Sequence, residues 1–243
     1  MRRILAVFYG AVSYLIFFVT FLYAVGFVGN LVVPKSIDSG VAGAFGLSLL
    51  IDVLLLGLFA VQHSVMARPA FKRWWTRFVP QVVERTTYVL LSSLALILLF
   101  WLWQPMQGVV WSIENVAGRN VLWALFWIGW VIVLTSTFLI NHFDLFGLRQ
   151  VYLYSKGQEY TNIGFKTPFL YRLVRHPIML GFIVAFWATP HMTVGHLAFA
   201  IITTVYILIA LQFEEHDLVS YYGEAYEKYR RQVSMILPFP RKK

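Results

Sequence analysis

The stretch VLWALFWIGWVIVLTSTFLI, residues 121–140, carries no charged side chain and decides the class of the fold. A helix needs about 20 mostly apolar residues to cross the hydrocarbon core of a bilayer, and this segment supplies them. Outward from it, three more segments pass the same test: 86–103, 41–61 and 4–33, the last long enough to tilt. A shorter apolar run, 177–189, is followed by the turn PHMTVG at 190–195 and a further run to Phe213. These two read as a tight helical hairpin, 177–213, whose depth in the bilayer is left open. Composition agrees with the segments. The chain is 59% hydrophobic and 13% charged, against about half and a quarter in soluble domains.

The reading is an all-α, polytopic transmembrane helix bundle, one membrane domain over residues 1–243. Four long spans are joined by the C-terminal hairpin and a cytoplasmic tail, 214–243. Met1–Arg2–Arg3 is not followed by a small-residue cleavage site, so the first span is expected to be retained. The chain has no cysteine, which excludes a disulfide framework, a thiolate nucleophile and cysteine-held metal clusters. No metal site is expected. The net charge of +9 is spread over loops rather than gathered on a soluble module, so nucleic acid is not an expected partner.

Lys and Arg are distributed very unevenly. With the N-terminus inside, eighteen fall on the inner side and only Lys35 and Arg119 on the outer. Positive charge marks the cytoplasmic side, which places both termini and the segments 62–85, 141–176 and 214–243 there. In a bacterium this means the inner membrane. Trp101, Trp103, Trp111 and Trp123 lie near the outer ends of spans and read as interfacial anchors. Leu218, Tyr222, Tyr226 and Tyr229 repeat at steps of four, four and three, a stripe on an amphipathic helix that Pro238 and Pro240 end.

Several polar residues stand out. Asp52 lies in mid-span, where a charge is costly; it is either functional or paired with a neighbouring helix. His63 follows the second span. His142 and Asp144 follow the fourth, with Arg149 beyond them. A histidine or carboxylate at a membrane mouth could transfer protons or simply cap a helix. Arg68, Lys72, Arg73, Trp74, Trp75 and Arg77 suit a lipid headgroup surface. The densest constellation sits at the open end of the hairpin, where Arg175–His176–Pro177 should meet Glu214–Glu215. Two adjacent carboxylates need a compensating cation. Arg175 can pair with one and leave the other for a cationic or hydroxyl-rich ligand.

Arg175–His176–Pro177–Ile178–Met179–Leu180–Gly181, then Glu214–Glu215–His216–Asp217–Leu218 and Tyr222–Gly223–Glu224–Ala225–Tyr226, resembles the signature of the isoprenylcysteine carboxyl methyltransferase-like membrane methyltransferases. Met179 departs from the tyrosine usual in that pattern. The segments His63–Arg68, Phe71–Arg77, Glu84–Tyr88 and Asn141–Gly147 resemble the bacterial members that convert methanethiol to dimethyl sulfide. The resemblance implies an S-adenosylmethionine-dependent methyltransferase acting on a small thiol. It further implies donor contacts from Arg175, His176, Pro177, Gly181, Glu214, Glu215 and Tyr222. His63, His142, Asp144 and Arg149 are the candidates for thiol activation. The His–Ser pair at 63–64 also resembles the zeta-carotene isomerase-like group, which implies the alternative of a haem-binding isomerase or nitrogen-oxide-linked protein.

Overall fold

The computed structural model describes residues 1–238; Pro240 and the basic residues Arg241, Lys242 and Lys243 lie outside the described residues. Among the described residues, five helices are long and apolar enough to cross a membrane: α1 (Arg2–Gly29), α2 (Phe45–Ala67), α4 (Gln81–Leu102), α5 (Val116–Ile140) and α9 (Val194–Tyr222). Between and after them run the shorter α3 (Pro69–Trp75), α6 (His142–Leu145), α7 (Leu148–Ser155), α8 (Pro177–Trp187) and α10 (Glu224–Gln232). The all-α polytopic reading holds.

The helices overrun the apolar segments at their polar ends. Helix α2 continues through Gln62, His63 and Ser64, which therefore lie in its last turns and not beyond it. Helix α9 runs past Phe213 to Tyr222, so Glu214 and Glu215 are helical. No residue after Phe213 breaks the helix until Gly223, whose φ of 56° and ψ of −133° suit glycine alone. The tyrosine stripe is thereby split between α9 and α10. Its three rings still converge on Phe165, whose centroid lies 5.2 Å from that of Tyr222, 5.8 Å from Tyr226 and 5.3 Å from Tyr229.

Contacts along the chain fall into two compact units, each described by itself. The first comprises Met1–Gly108 and Asn141–Asn162, the second Val109–Ile140 and Ile163–Lys243. In the first unit α1 and α2 both pack on α4, and α7 packs on α1. Asp52 is buried, and its Oδ1 accepts a hydrogen bond of 2.9 Å from the backbone N–H of Gln104, just past the end of α4. That is the structural alternative for this residue. Trp103 is fully buried and donates from Nε1 to the Ile37 carbonyl at 3.0 Å. It is a core residue, not the interfacial anchor its position suggested.

In the second unit α8 packs on α5 at a glycine crossing. A Cβ on Gly181 would lie 2.6 Å from the Gly129 carbonyl oxygen, so only hydrogen fits. At eleven residues α8 is about 16 Å long, too short to span alone. The hairpin turn is tied to the strand leading into α5. Strand β1 (Val109–Ser112) pairs antiparallel with β2 (His191–Thr193), and Ile113 N–H donates to the Pro190 carbonyl at 2.8 Å. Trp111 Nε1 donates to the Thr189 carbonyl at 3.1 Å. The hairpin therefore reaches the start of α5. Irregular backbone is tolerated at such depth only where protein satisfies it, which these bonds do.

Candidate active site

Pro177 opens α8 at its first position, where the missing N–H costs nothing. Just before it, Val174 bridges Ser234, Arg175 N–H donates to the Ser234 carbonyl at 2.9 Å, and His176 N–H to the Met235 carbonyl at 3.1 Å. The returning tail thus fixes the two side chains from behind. The Arg175 guanidinium is buried and nearly saturated. Its Nε and Nη2 lie 2.6 Å and 2.5 Å from Glu215 Oε1, and Nη1 donates to the carbonyls of Arg230 and Val233 at 3.0 Å and 2.5 Å. That uses all but one of its five N–H donors.

The hairpin therefore does join Arg175 and His176 to the Glu pair, and the pairing is specific. Glu215 Oε1 also accepts from His176 Nε2 at 3.1 Å and from the Tyr226 hydroxyl at 3.5 Å. Glu215 Oε2 faces Arg230 Nε at 3.9 Å. Glu214 is half-exposed, with Oε2 3.8 Å from His176 Nδ1. Arg175, expected to meet a donor carboxylate, is instead spent on protein groups. The half-exposed guanidinium of Arg230 opens on a cavity of about 450 Å³ lined also by Gln212, Glu215, His216, Val219 and Met235.

Tyrosines close the site on one flank. Tyr229 donates its hydroxyl to the Tyr171 carbonyl, and Tyr171 donates to the Ser136 carbonyl at 3.3 Å. Burial is the main cause that raises the phenols of Tyr171, Tyr226 and Tyr229 above their ordinary value, with Glu214 adding at Tyr171 and Glu215 at Tyr226. Tyr229 is pushed up to about 12. These hydroxyls remain donors at any working pH. Gly181 serves the α5–α8 crossing, and Tyr222 stacks with Phe165. Met179 packs against Ile207, Leu211 and Ile236.

The other four candidates lie in the first unit. Asp144 accepts from Arg149 Nη1 at 3.0 Å and from the Tyr160 hydroxyl at 3.2 Å, and Arg149 also holds Thr161 through its carbonyl and its Oγ1, each at 2.8 Å. This pair pins the chain after α7. His142 is buried, with Nε2 2.6 Å from the Tyr14 hydroxyl and the rings of Phe143 and Phe146 around it. Burial lowers its pKa, so the ring is neutral at neutral pH. His63 is half-buried. Its Nε2 lies 2.9 Å from the Tyr88 hydroxyl, and its Nδ1 3.2 Å from Ser92 Oγ. Ser92, Gln212 and Arg230 escaped the sequence reading as site residues, and Tyr88 entered it only within the segment Glu84–Tyr88. For Arg230 a signal existed, since it follows the tyrosine stripe on the same amphipathic helix.

Five apolar spans with polar clusters at their ends define a multi-pass α-helical membrane protein. The chain belongs to the NnrU protein family, whose family model matches residues 51–235. It is similar to a methanethiol S-methyltransferase of Mycobacterium tuberculosis, 62% identical over 240 residues, covering 99% of this chain and 98% of the relative. A methanethiol S-methyltransferase of Crocosphaera subtropica is 57% identical over 243 residues, covering 100% and 95%. Methanethiol S-methyltransferase 2 of Bradyrhizobium diazoefficiens is 55% identical over 236 residues, covering 97% and 91%. The resemblance to thiol-methylating enzymes is borne out by these relatives. No solved structure matches the chain.

Proposed function

We propose that this protein is an integral membrane methyltransferase that methylates a small thiol, converting methanethiol to dimethyl sulfide with S-adenosylmethionine as donor. The observation that carries the reading is the 62% identity over 99% of the chain to a relative named for that reaction. The charge bias of eighteen to two supports an inner-membrane location with both termini cytoplasmic. Residues 1–243 then act as one membrane domain, and the donor arrives from the cytoplasm.

The chemistry of the Arg175 cluster suits such a donor. S-adenosylmethionine, when bound, supplies an electrophilic methyl group on a sulfonium, with a carboxylate, an ammonium, a ribose and an adenine as handles. Arg230, half-exposed beside Glu215 and lining the cavity, is the cation we assign to the donor carboxylate. Glu214, half-exposed beside His176, and Oε2 of Glu215 are the acceptors for ribose hydroxyls or the ammonium. The ring cluster of Phe165, Tyr222 and Tyr226 offers aromatic faces to a cation or an adenine. Arg175 and His176 keep Glu215 in place. The residues so named bind and orient; alignment and exclusion of water supply most of the acceleration of an in-line transfer.

The test is direct. Purified protein in detergent should release dimethyl sulfide from methanethiol only when S-adenosylmethionine is present. Absence of product from folded protein would overturn the reading. A stoichiometric Soret band would favour haem instead.

A further inference from the structure

We infer that the groove between the start of α1 and α7 holds one anionic glycerophospholipid, with an acyl chain in the groove and the phosphate on Arg3 and Lys156.

The groove lies wholly within the first unit. It encloses about 560 Å³, lined chiefly by Val7 and Ala11 of α1, Phe143 of α6, and Leu148, Val151 and Tyr152 of α7. Gly10 lets α7 lie directly on α1, since a Cβ there would come 2.7 Å from Val151 Cγ2. The two helices run antiparallel: Gly10 meets Val151, while Arg3 meets Tyr154 and Gly157. Three polar residues of the lining spend their side chains on protein. Arg149 pairs with Asp144 at 3.0 Å, Asn141 Oδ1 accepts from the Asp144 N–H at 3.2 Å, and Ser155 Oγ donates to the Tyr152 carbonyl at 2.7 Å. The surface left open is largely hydrocarbon, with Val7 39% exposed and Phe143 53%. Apolar surface of this kind favours an apolar occupant over water.

The cations gather at one end of the groove. The Arg3 guanidinium lies 5.9 Å from the Tyr154 ring centre and 3.4 Å from where a Cβ of Gly157 would stand. Lys156 Nζ lies 5.8 Å from the ring centre of Tyr152, a residue of the groove itself. Aromatic faces attract these cations without cancelling their charge. Among the described residues no carboxylate forms an ion pair with Arg3 or Lys156. From Arg3 to Ala11 the helix rises about 12 Å, within the hydrocarbon depth of about 15 Å that one leaflet provides. Hydrocarbon below and positive charge at the mouth match the two parts of a phospholipid. The headgroup is anionic, because a choline or ethanolamine would bring a further cation to Arg3 and Lys156. A second copy of this chain fits the mouth less well, since it carries 20 Lys and Arg against 11 Asp and Glu. A lipid seated here ties α7 to the first span and stabilises the folded protein in proportion to its occupancy.

Protein purified in detergent and stripped of lipid is titrated with dioleoyl phosphatidylglycerol, dioleoyl phosphatidylcholine and glycerol phosphate. Native mass spectrometry counts the bound molecules, and thermal midpoints are recorded alongside. Phosphatidylglycerol should bind and raise the midpoint, with phosphatidylcholine weaker by about 10-fold or more. Glycerol phosphate, which has no acyl chain, should not bind. Arg3→Gln with Lys156→Gln should lower phosphatidylglycerol affinity by about 25-fold, about fivefold for each cation. Ala11→Trp fills the groove and should lower it with both cations in place. Arg73→Gln with Arg77→Gln removes equal charge away from the groove and should leave this lipid bound. The Arg3 and Lys156 side chains are exposed, so their double variant folds and carries the test even where Ala11→Trp does not. Equal affinity for the two lipids would overturn the inference, as would an Arg3 and Lys156 double variant that binds phosphatidylglycerol normally. Glycerol phosphate binding as tightly as the lipid would reduce the site to a plain anion site and overturn it too. A lipid-free dimer that Ala11→Trp breaks would give the groove to a second copy of the chain instead.

Discussion

Arg175 and Glu215 form a buried ion pair, Nη2 to Oε1 at 2.5 Å, in which the same guanidinium also holds two carbonyls at the end of α10. The pair therefore joins three elements: the entry to α8, the polar end of α9, and the tail. Removing one partner of such a pair leaves an uncompensated buried charge and costs about 3–5 kcal/mol. Arg175→Ala should lower the thermal midpoint in detergent sharply. Glu215→Gln, which keeps a hydrogen-bond acceptor but removes the charge, should cost less. An unchanged midpoint in Arg175→Ala would mean that the clasp is not structural.

Arg230 and Glu214 make the contrasting case. Both are about half-exposed, so their substitution should leave the fold intact. Arg230→Gln and Glu214→Gln are each expected to weaken donor binding about 10-fold, the equivalent of about 1.4 kcal/mol. Isothermal titration with S-adenosylmethionine measures this, with the midpoint as control. Donor affinity unaltered in both variants would remove them from the site.

How much of this was legible in the sequence follows from where each signal is written. The four long spans and the Arg175–Glu pairing were legible, because hydropathy and a hairpin's geometry are local properties; the fifth long helix, α9, was read only as the second arm of a hairpin of undecided depth. Which glutamate pairs was not: Glu214 and Glu215 differ only in the face of α9 they occupy, and that face is set by packing. The end of α9 was misplaced because apolarity ceases at Phe213 while helix propensity continues to Gly223. Trp103 and Trp111 read as interfacial because tryptophan is amphipathic; their N–H groups instead bond carbonyls of Ile37 and Thr189. The β1–β2 pair carries almost no sequence signal, since strands this short have no measurable alternation.

Gly181 illustrates a motif residue with a packing explanation. A methyl group there would meet the Gly129 carbonyl at 2.6 Å and Val133 Cγ2 at 2.8 Å. Gly181→Ala should force α8 away from α5 and cost about 1–3 kcal/mol. The measurable consequence is a lower midpoint, with donor affinity of the folded fraction nearly unchanged. A selective loss of donor affinity at constant midpoint would return Gly181 to the cofactor site.

His142 gives the protein a predictable response to acid. Burial against Tyr14 and Phe146 lowers its pKa below the ordinary 6.5, so the folded state binds fewer protons than the unfolded state. Stability rises with pH wherever the unfolded state binds more protons. The contribution is therefore complete above about pH 6.5 and is lost as pH falls from there toward the lowered value. Comparing thermal midpoints at pH 7.5 and 5.5 should show a fall in the unsubstituted protein. His142→Gln, which keeps a polar partner for Tyr14 but cannot take the proton, should show a smaller fall. Equal falls in the two proteins would assign the acid response to other groups.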